Sequence, residues 1–173
     1  MVAMTETRSM QSRPNALPWL LLSALMIALD QYSKWFAVGH LQFQQPVAFV
    51  PGFWNWTLTH NTGSAFSFLA HAGSWKHAFF IGLAVIISGG LVVWLKRTER
   101  NDWRTALPFA LIIAGALGNV IDRLRLGYVV DFVQWYWRGF DWPVFNLADS
   151  CIVVAAMMLV LFSRVHGEKR KID

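Results

Sequence analysis

The chain has 173 residues, 55% of them hydrophobic and 14% charged, with a formal net charge of +5. Length alone allows one domain, but that composition lies far from the soluble average and points to a membrane protein. The positive charge is no sign of nucleic-acid binding, because its distribution along the chain is the one that membrane insertion requires.

In chain order, residues 1–15 read as a polar tail. The apolar stretch 16–36 follows Arg8 and Arg13 in the manner of a signal peptide. No small-residue cleavage site comes after it, only Asp30-Gln31-Tyr32-Ser33-Lys34, so it is read as an uncleaved membrane helix. The segment 37–77 is too long and too patterned for a plain connector. Trp54, Trp56 and Leu58 alternate there with Asn55, Thr57 and Thr59 behind a Pro51-Gly52 turn, a period of two that predicts a strand with one apolar face. A small twisted antiparallel sheet on the outer membrane face is expected, with an ordinary surface hairpin as the plainer alternative.

Residues 78–95 are eighteen in a row without a charge, close to the roughly 20 needed to cross about 30 Å of hydrocarbon. Stretches 105–121 and 144–162 read likewise, the second interrupted by Asn146 and Asp149. Ala114, Gly115 and Gly118 would let helices approach closely. Between these stretches, 123–143 carries Trp135, Tyr136, Trp137 and Trp142, rings suited to the headgroup level. It is read as an interfacial helix or flap over a site, or as an aromatic belt alone. Residues 164–173 form a second polar tail.

The expected architecture is therefore a membrane α-helical domain over 16–163, with four transmembrane helices, a small periplasmic β-sheet and a periplasmic flap. Orientation follows from Lys and Arg, which are retained on the cytoplasmic side. An even number of spans puts both termini beside the 96–104 loop, and that side holds Arg8, Arg13, Lys96, Arg97, Arg100, Arg104, Arg164, Lys169, Arg170 and Lys171. Both termini are expected in the cytoplasm. Asp30 and Asp122 then lie near outer helix ends, Asn146 and Asp149 near an outer helix start, and Asp131 folds back to the same level. Carboxylates cost a few kcal/mol near hydrocarbon and usually line a bundle interior or wet cavity. Asn119 and Asp122, like Asn146 and Asp149, are three apart and share a helix face. Two close carboxyls share one proton, so one can activate water while the other protonates a carbonyl oxygen. The plainer reading of Asp30 with Lys34, and of Asp122 beside Arg123, is paired charge at helix ends. A Cys151-His60-Asn61 thiol site is disfavoured because 149 and 151 point to different faces. Cys151 is read as a packing residue. His40, His60, His71 and His77 show no metal-ligand spacing, and no metal or cofactor is expected.

Five blocks carry a resemblance: Asp30-Gln31-x-x-Lys34, Asn61-Thr62-Gly63-Ser64-Ala65-Phe66-Ser67, Gly118-Asn119-Val120-Ile121-Asp122-Arg123, Val129-Val130-Asp131-Phe132 and Phe145-Asn146-Leu147-Ala148-Asp149-Ser150. In order and spacing they resemble the bacterial lipoprotein signal peptidase family over nearly the whole ordered chain. The resemblance implies an inner-membrane aspartic endopeptidase that cuts diacylglyceryl-modified prolipoproteins before the lipidated cysteine. It implies Asp131 and Asp149 as the catalytic dyad, without saying which is base and which acid. Asn61, Gly63, Asn119, Asp122, Arg123, Asn146 and Ala148 would line or brace the site, Asp30 and Lys34 would be more structural, and the Trp-rich segment would match the family's outer helix. The implied partners are the lipidated substrate and membrane lipid, with a monomer as the expected state. The alternative from another class is a small proton-linked transporter or assembly subunit, which would be favoured by an acid near Ile87 or Ile113; neither stretch has one.

Overall fold

The computed structural model describes residues 14–63 and 75–169, so Ser64, Ala65, Phe66, Ser67, His71 and both chain ends lie outside the described residues. The described residues form four long helices: α1 (Leu20–His40), α2 (Trp75–Arg97), α3 (Trp103–Leu126) and α4 (Leu147–Lys169). A four-stranded antiparallel sheet joins β1 (Val47–Val50), β2 (Trp54–Asn61), β3 (Val129–Trp137) and β4 (Phe140–Asp141) in that order.

The helices are patterned inside out. On α1 the buried residues are Ser23, Asp30, Lys34 and Ala37, spaced by seven, four and three, which is one stripe of a 3.6-residue helix. The opposite face exposes Leu21, Leu25, Leu29 and Phe36, with Leu21 76% exposed. A soluble helix hides its leucines and wets its charges, whereas a helix in lipid does the reverse. α2 and α4 are likewise coated outside, by Leu83, Val85, Ile86, Val153, Met157 and Leu161. α2 and α3 are long and apolar enough to cross a membrane, and 147–163 is a shorter apolar helix.

α3 is the central post and packs against the other three helices. Asp102 caps its start by accepting from the Thr105 N–H at 3.3 Å. Gly127, at φ 77°, ends it in the left-handed conformation with its N–H on the Arg123 carbonyl, a geometry that glycine adopts at little cost. Gly115 and Gly118 face α4 and α1 as the small-residue pattern predicts. A Cβ on Gly115 would strike the Ala148 carbonyl and come within 2.6 Å of Ile152, and one on Gly118 would sit 2.7 Å from Asp30.

The sheet corrects two expectations. Strict alternation over 54–59 holds only to Trp56, because β2 carries a bulge: Trp56 pairs with Val133 and Thr59 with Asp131, three steps against two. The extra residue buries both Thr57 and Leu58, and bulges commonly re-aim side chains beside a site. The segment 123–143 forms no interfacial helix. After Gly127 it becomes β3 and a hairpin to β4, because β-branched and aromatic residues dominate Val129–Trp137 and favour a pleated strand. Arg138 (φ 48°) and Gly139 (φ 83°) make the two-residue turn, whose twist suits a hairpin. Trp135 and Trp137 therefore belong to the sheet.

Gly115→Val is expected to wedge α3 from α4 and lower stability by about 1–3 kcal/mol, the usual cost of overpacking. Gly90→Ala, where an added Cβ meets nothing within 4 Å, should leave the thermal midpoint in detergent unchanged or slightly higher. Equal behaviour of the two variants in a thermal unfolding scan would contradict this packing account.

Candidate active site

The start of α4 sets the geometry. Asn146 stands just before the helix, and its Oδ1 accepts from the Asp149 N–H at 2.9 Å while Asp149 Oδ2 receives the Asn146 N–H at 3.4 Å. This is a reciprocal capping box in which Asn and Asp satisfy donors that a helix start leaves open. The three-residue spacing thus reflects a cap and its third helical residue; Asn146 is outside the helix whose face it was expected to share. The next open donor, the Ala148 N–H, is met at 2.9 Å by Asp30 Oδ1 from α1. Ala148 has room for only a methyl because Gly115 and Gly118 lie against it.

Beyond capping, Asn146 joins the two sequence-distant acids. Its Nδ2 donates to Asp131 Oδ1 at 2.7 Å, to Asn119 Oδ1 at 3.1 Å and to the Val130 carbonyl at 3.2 Å. Asn119, one turn before Asp122 on α3, donates to Asp149 Oδ1 at 2.8 Å. Asp131 reaches this level because Phe145 bridges to Val133, laying the strand beside the approach to α4. Asn61, at the end of β2, hydrogen-bonds the Asp131 side chain and accepts the Gly63 N–H at 2.9 Å. Gly63 has φ +84°, and a Cβ there would meet Phe80 at 2.9 Å. Arg123 stacks over that same Phe80 ring at 5.0 Å and feels the carboxylates of Asp149, Asp131 and Asp122.

Behind this layer lies a buried ion cluster. Lys34 Nζ is 2.9 Å from Asp30 Oδ2 and 2.9 Å from Asp122 Oδ2, and it donates to Asn119 Oδ1 at 3.1 Å. Asp122 Oδ2 also accepts the Val130 N–H at 3.1 Å, pinning the strand one residue before Asp131. Asp122 therefore pairs with Lys34 of another helix, and the sequence-adjacent Arg123 points to Phe80. Gln31 was quoted in a block without a role, yet its Nε2 donates to Asp122 Oδ1 at 2.9 Å and to the Gly118 carbonyl at 3.2 Å. Its position one residue after a buried Asp was the only signal available.

The two acids differ in surroundings. Asp131 is 1% exposed. Burial first, and then the Asp149 charge, push its carboxyl up from 3.8 to about 7, against the opposing pull of Asn61, Asn146 and Lys34. Asp149 lines an open cavity of about 530 Å3 together with Asn61, Trp135, Trp142, Phe145 and Met157. His60 stacks on Tyr128 and Phe43, and Cys151 is buried. No hydrogen bond joins those two, so no thiol grouping forms among the described residues.

A carboxyl pair at one end of an apolar bundle, one acid holding its proton near neutrality and the other facing a groove, fits a membrane peptidase of the aspartic type. A family model described as "Signal peptidase (SPase) II" matches residues 22–165. A lipoprotein signal peptidase of Xanthomonas campestris pv. campestris (strain 8004) is 54% identical over 163 residues, covering 94% of this chain and 98% of the relative. One of Xylella fastidiosa (strain M12) is 54% identical over 161 residues, covering 91% and 96%. Two solved bacterial membrane enzyme structures superpose with TM-scores of 0.75 and 0.77 at 30% and 28% identity. They cover 88% and 92% of this chain and 96% of each neighbour. The chain belongs to the signal peptidase II family, which makes it a membrane peptidase and sets the transporter alternative aside.

The double duty of Asn146 can be separated by mutation. Asn146→Ser keeps a capping oxygen for α4 but cannot reach Asp131, while Asn146→Ala loses both functions. Thermal unfolding should rank Ser above Ala by about 0.5–2 kcal/mol, the worth of a cap, with peptidase activity strongly reduced in both. Full activity in the Ser variant would show that the link to Asp131 is dispensable.

Proposed function

We propose that this chain is an endopeptidase of the bacterial inner membrane that removes the signal peptide from diacylglyceryl-modified prolipoproteins, cutting before the lipidated cysteine with Asp131 and Asp149. It crosses the membrane four times, with both termini cytoplasmic and the site at the periplasmic end. The lipid-facing leucines and valines on α1, α2 and α4 support the four spans. The Lys96, Arg97, Arg100 and Arg104 group at the opposite end from the acids supports the orientation. One observation carries the chemistry: Asn146 binds Asp131 and caps the helix turn that bears Asp149, so two acids 18 positions apart share one hydrogen-bonded frame.

The asymmetry of the pair suggests its division of labour. Asp131, buried and raised to about 7, holds the shared proton up to the neutral range. Asp149, at the groove, takes a proton from water as that water attacks the scissile carbonyl, and Asp131 donates to the carbonyl oxygen. Asn61, Asn119 and Asn146 hold the carboxyls in place. The groove continues along α4 past Val153 and Met157 toward the lipid, so an apolar segment of substrate can remain in the bilayer while the bond to be cut stays near the headgroups. Trp135 and Trp142 exclude bulk water around that bond.

Asp131→Asn and Asp149→Asn should each abolish cleavage while membrane insertion persists. With purified parent protein, the diacylated form of one prolipoprotein should be cut and its non-lipidated form left intact. Near-normal processing by either variant would refute the dyad, and equal cutting of both substrates would refute lipid selectivity.

Folding stability gives a separate pH test. Between about pH 4 and 7 the folded chain holds a proton on Asp131 that the unfolded chain has released, so stability falls as pH rises through that window. Asp131→Asn removes this loss, and its unfolding midpoint should fall less steeply from pH 5 to 8. kcat/KM of the parent should decline as pH rises through about 7, where Asp131 loses its proton. Parallel stability curves for parent and variant would contradict the raised carboxyl.

A further inference from the structure

Lys34 is 3% exposed and is bonded to Asp30, Asp122 and Asn119 and to neither of the proposed catalytic acids, yet its third proton goes to the residue that holds one of them. We propose that Lys34 is a positioning residue for the dyad: its ammonium fixes the Asn119 amide so that the amide N–H faces Asp149. The inference rests on reading Asp131 and Asp149 as that dyad.

An asparagine amide is nearly symmetric in shape, with an acceptor at one end and donors at the other. Asn119 Oδ1 receives Lys34 Nζ at 3.1 Å and Asn146 Nδ2 at 3.1 Å, while Asn119 Nδ2 gives to Asp149 Oδ1 at 2.8 Å. A flipped amide would turn its NH2 against two donors, one of them a buried cation, and present its oxygen to a carboxylate. Lys34 makes that flip prohibitive. A cation on the amide oxygen also polarises the group and strengthens the N–H bond to Asp149.

The ammonium is itself held by charge from two helices. Asp30 meets it from its own helix and Asp122 from α3, where Gln31 closes the side of Asp122. On the far side, Arg123 of α3 is the other cation whose charge couples to Asp131 and Asp149, and Asn61 of β2 binds Asp131. The Lys34 charge also acts on Asp131 directly and favours its ionised form. Without that charge the pair should keep its shared proton to higher pH.

The test uses Lys34→Gln and the double variant Asp30→Asn with Lys34→Met, which removes one anion and one cation together and leaves the buried net charge unchanged. kcat, KM and their pH profiles are measured on a diacylated prolipoprotein and normalised to folded protein by thermal unfolding. kcat should fall by on the order of tenfold or more with KM unchanged, and the alkaline limb should move to higher pH. Asn119→Ala should give a similar loss, and combining it with Lys34→Gln should add little, because both cut the same link. If the Lys34 variants lose only thermal stability, with parental kcat and limbs per folded molecule, or if the Asn119 and Lys34 losses multiply in full, the positioning role is overturned. Asp131→Asn and Asp149→Asn run alongside: activity in either sinks the dyad reading itself, whereas their inactivity with unmoved limbs in the Lys34 variants sinks only this inference.

Discussion

An ammonium group has three protons, and Lys34 gives one each to Asp30, Asp122 and Asn119. A buried ion costs several kcal/mol in desolvation unless its partners are well placed. Here the partners come from α1 and α3, so folding α1 onto α3 is the condition for burying the charge at all. Each carboxylate then reaches a further element. Asp30 receives the Ala148 N–H in the first turn of α4, and Asp122 receives the Val130 N–H of β3. The cation thereby sets the height at which α4 starts and β3 enters, which are the two elements carrying Asp149 and Asp131.

Gly115 and Gly118 make this contact between α3 and α4 close enough to matter. Without Cβ atoms they let α4 approach until the Ala148 carbonyl lies where a Gly115 side chain would need room. Lipid cannot drive this packing, since hydrocarbon tails are as apolar as leucine; close backbone contact and internal hydrogen bonds must do so instead. The outer faces can then vary in shape provided they stay apolar, and the polar stripe of α1 is the one that must stay fixed.

How much of this could be read in advance depends on whether the signal was local or relational. Apolar runs located all four helices, because hydrophobic length is a local property, but α3 runs on to Leu126 and α4 to Lys169, past the expected ends at 121 and 162. Acids and amides beside apolar runs are rare enough that Asp30, Asn119, Asp122, Asp131, Asn146 and Asp149 stand out, whereas the choice of Asp131 and Asp149 among them rests on the family resemblance. Partnerships were harder. Asp122 beside Arg123 in sequence suggested a pair, yet a helix turns 100° per residue and sends the two side chains to different neighbours. The Asn146-x-x-Asp149 spacing was seen as one helix face, although the same spacing is a capping box when the helix starts one residue later. The Trp-rich stretch passed for an interfacial helix because aromatic content alone does not separate a membrane belt from a strand. Its partner β2 is far away in sequence, Trp54 pairing with Trp135 and Asn61 with Val129, and no local pattern reveals that pairing.

The same relational logic explains why two like acids can have unlike roles. Asp131 enters on a strand with Val129, Val130 and Phe132 buried around it, so water does not stabilise its charge. Asp149 sits on the first turn of α4, half-buried at the groove, where its Oδ1 accepts the Asn119 amide N–H. In the proposed mechanism the shared proton stays on the drier Asp131, and Asp149, at the groove, accepts a proton from water. Reversing those roles would require Asp131 to ionise against its burial and the nearby Asp149 charge. The proposed division of acid and base thus follows from where a strand and a helix start deliver two identical side chains.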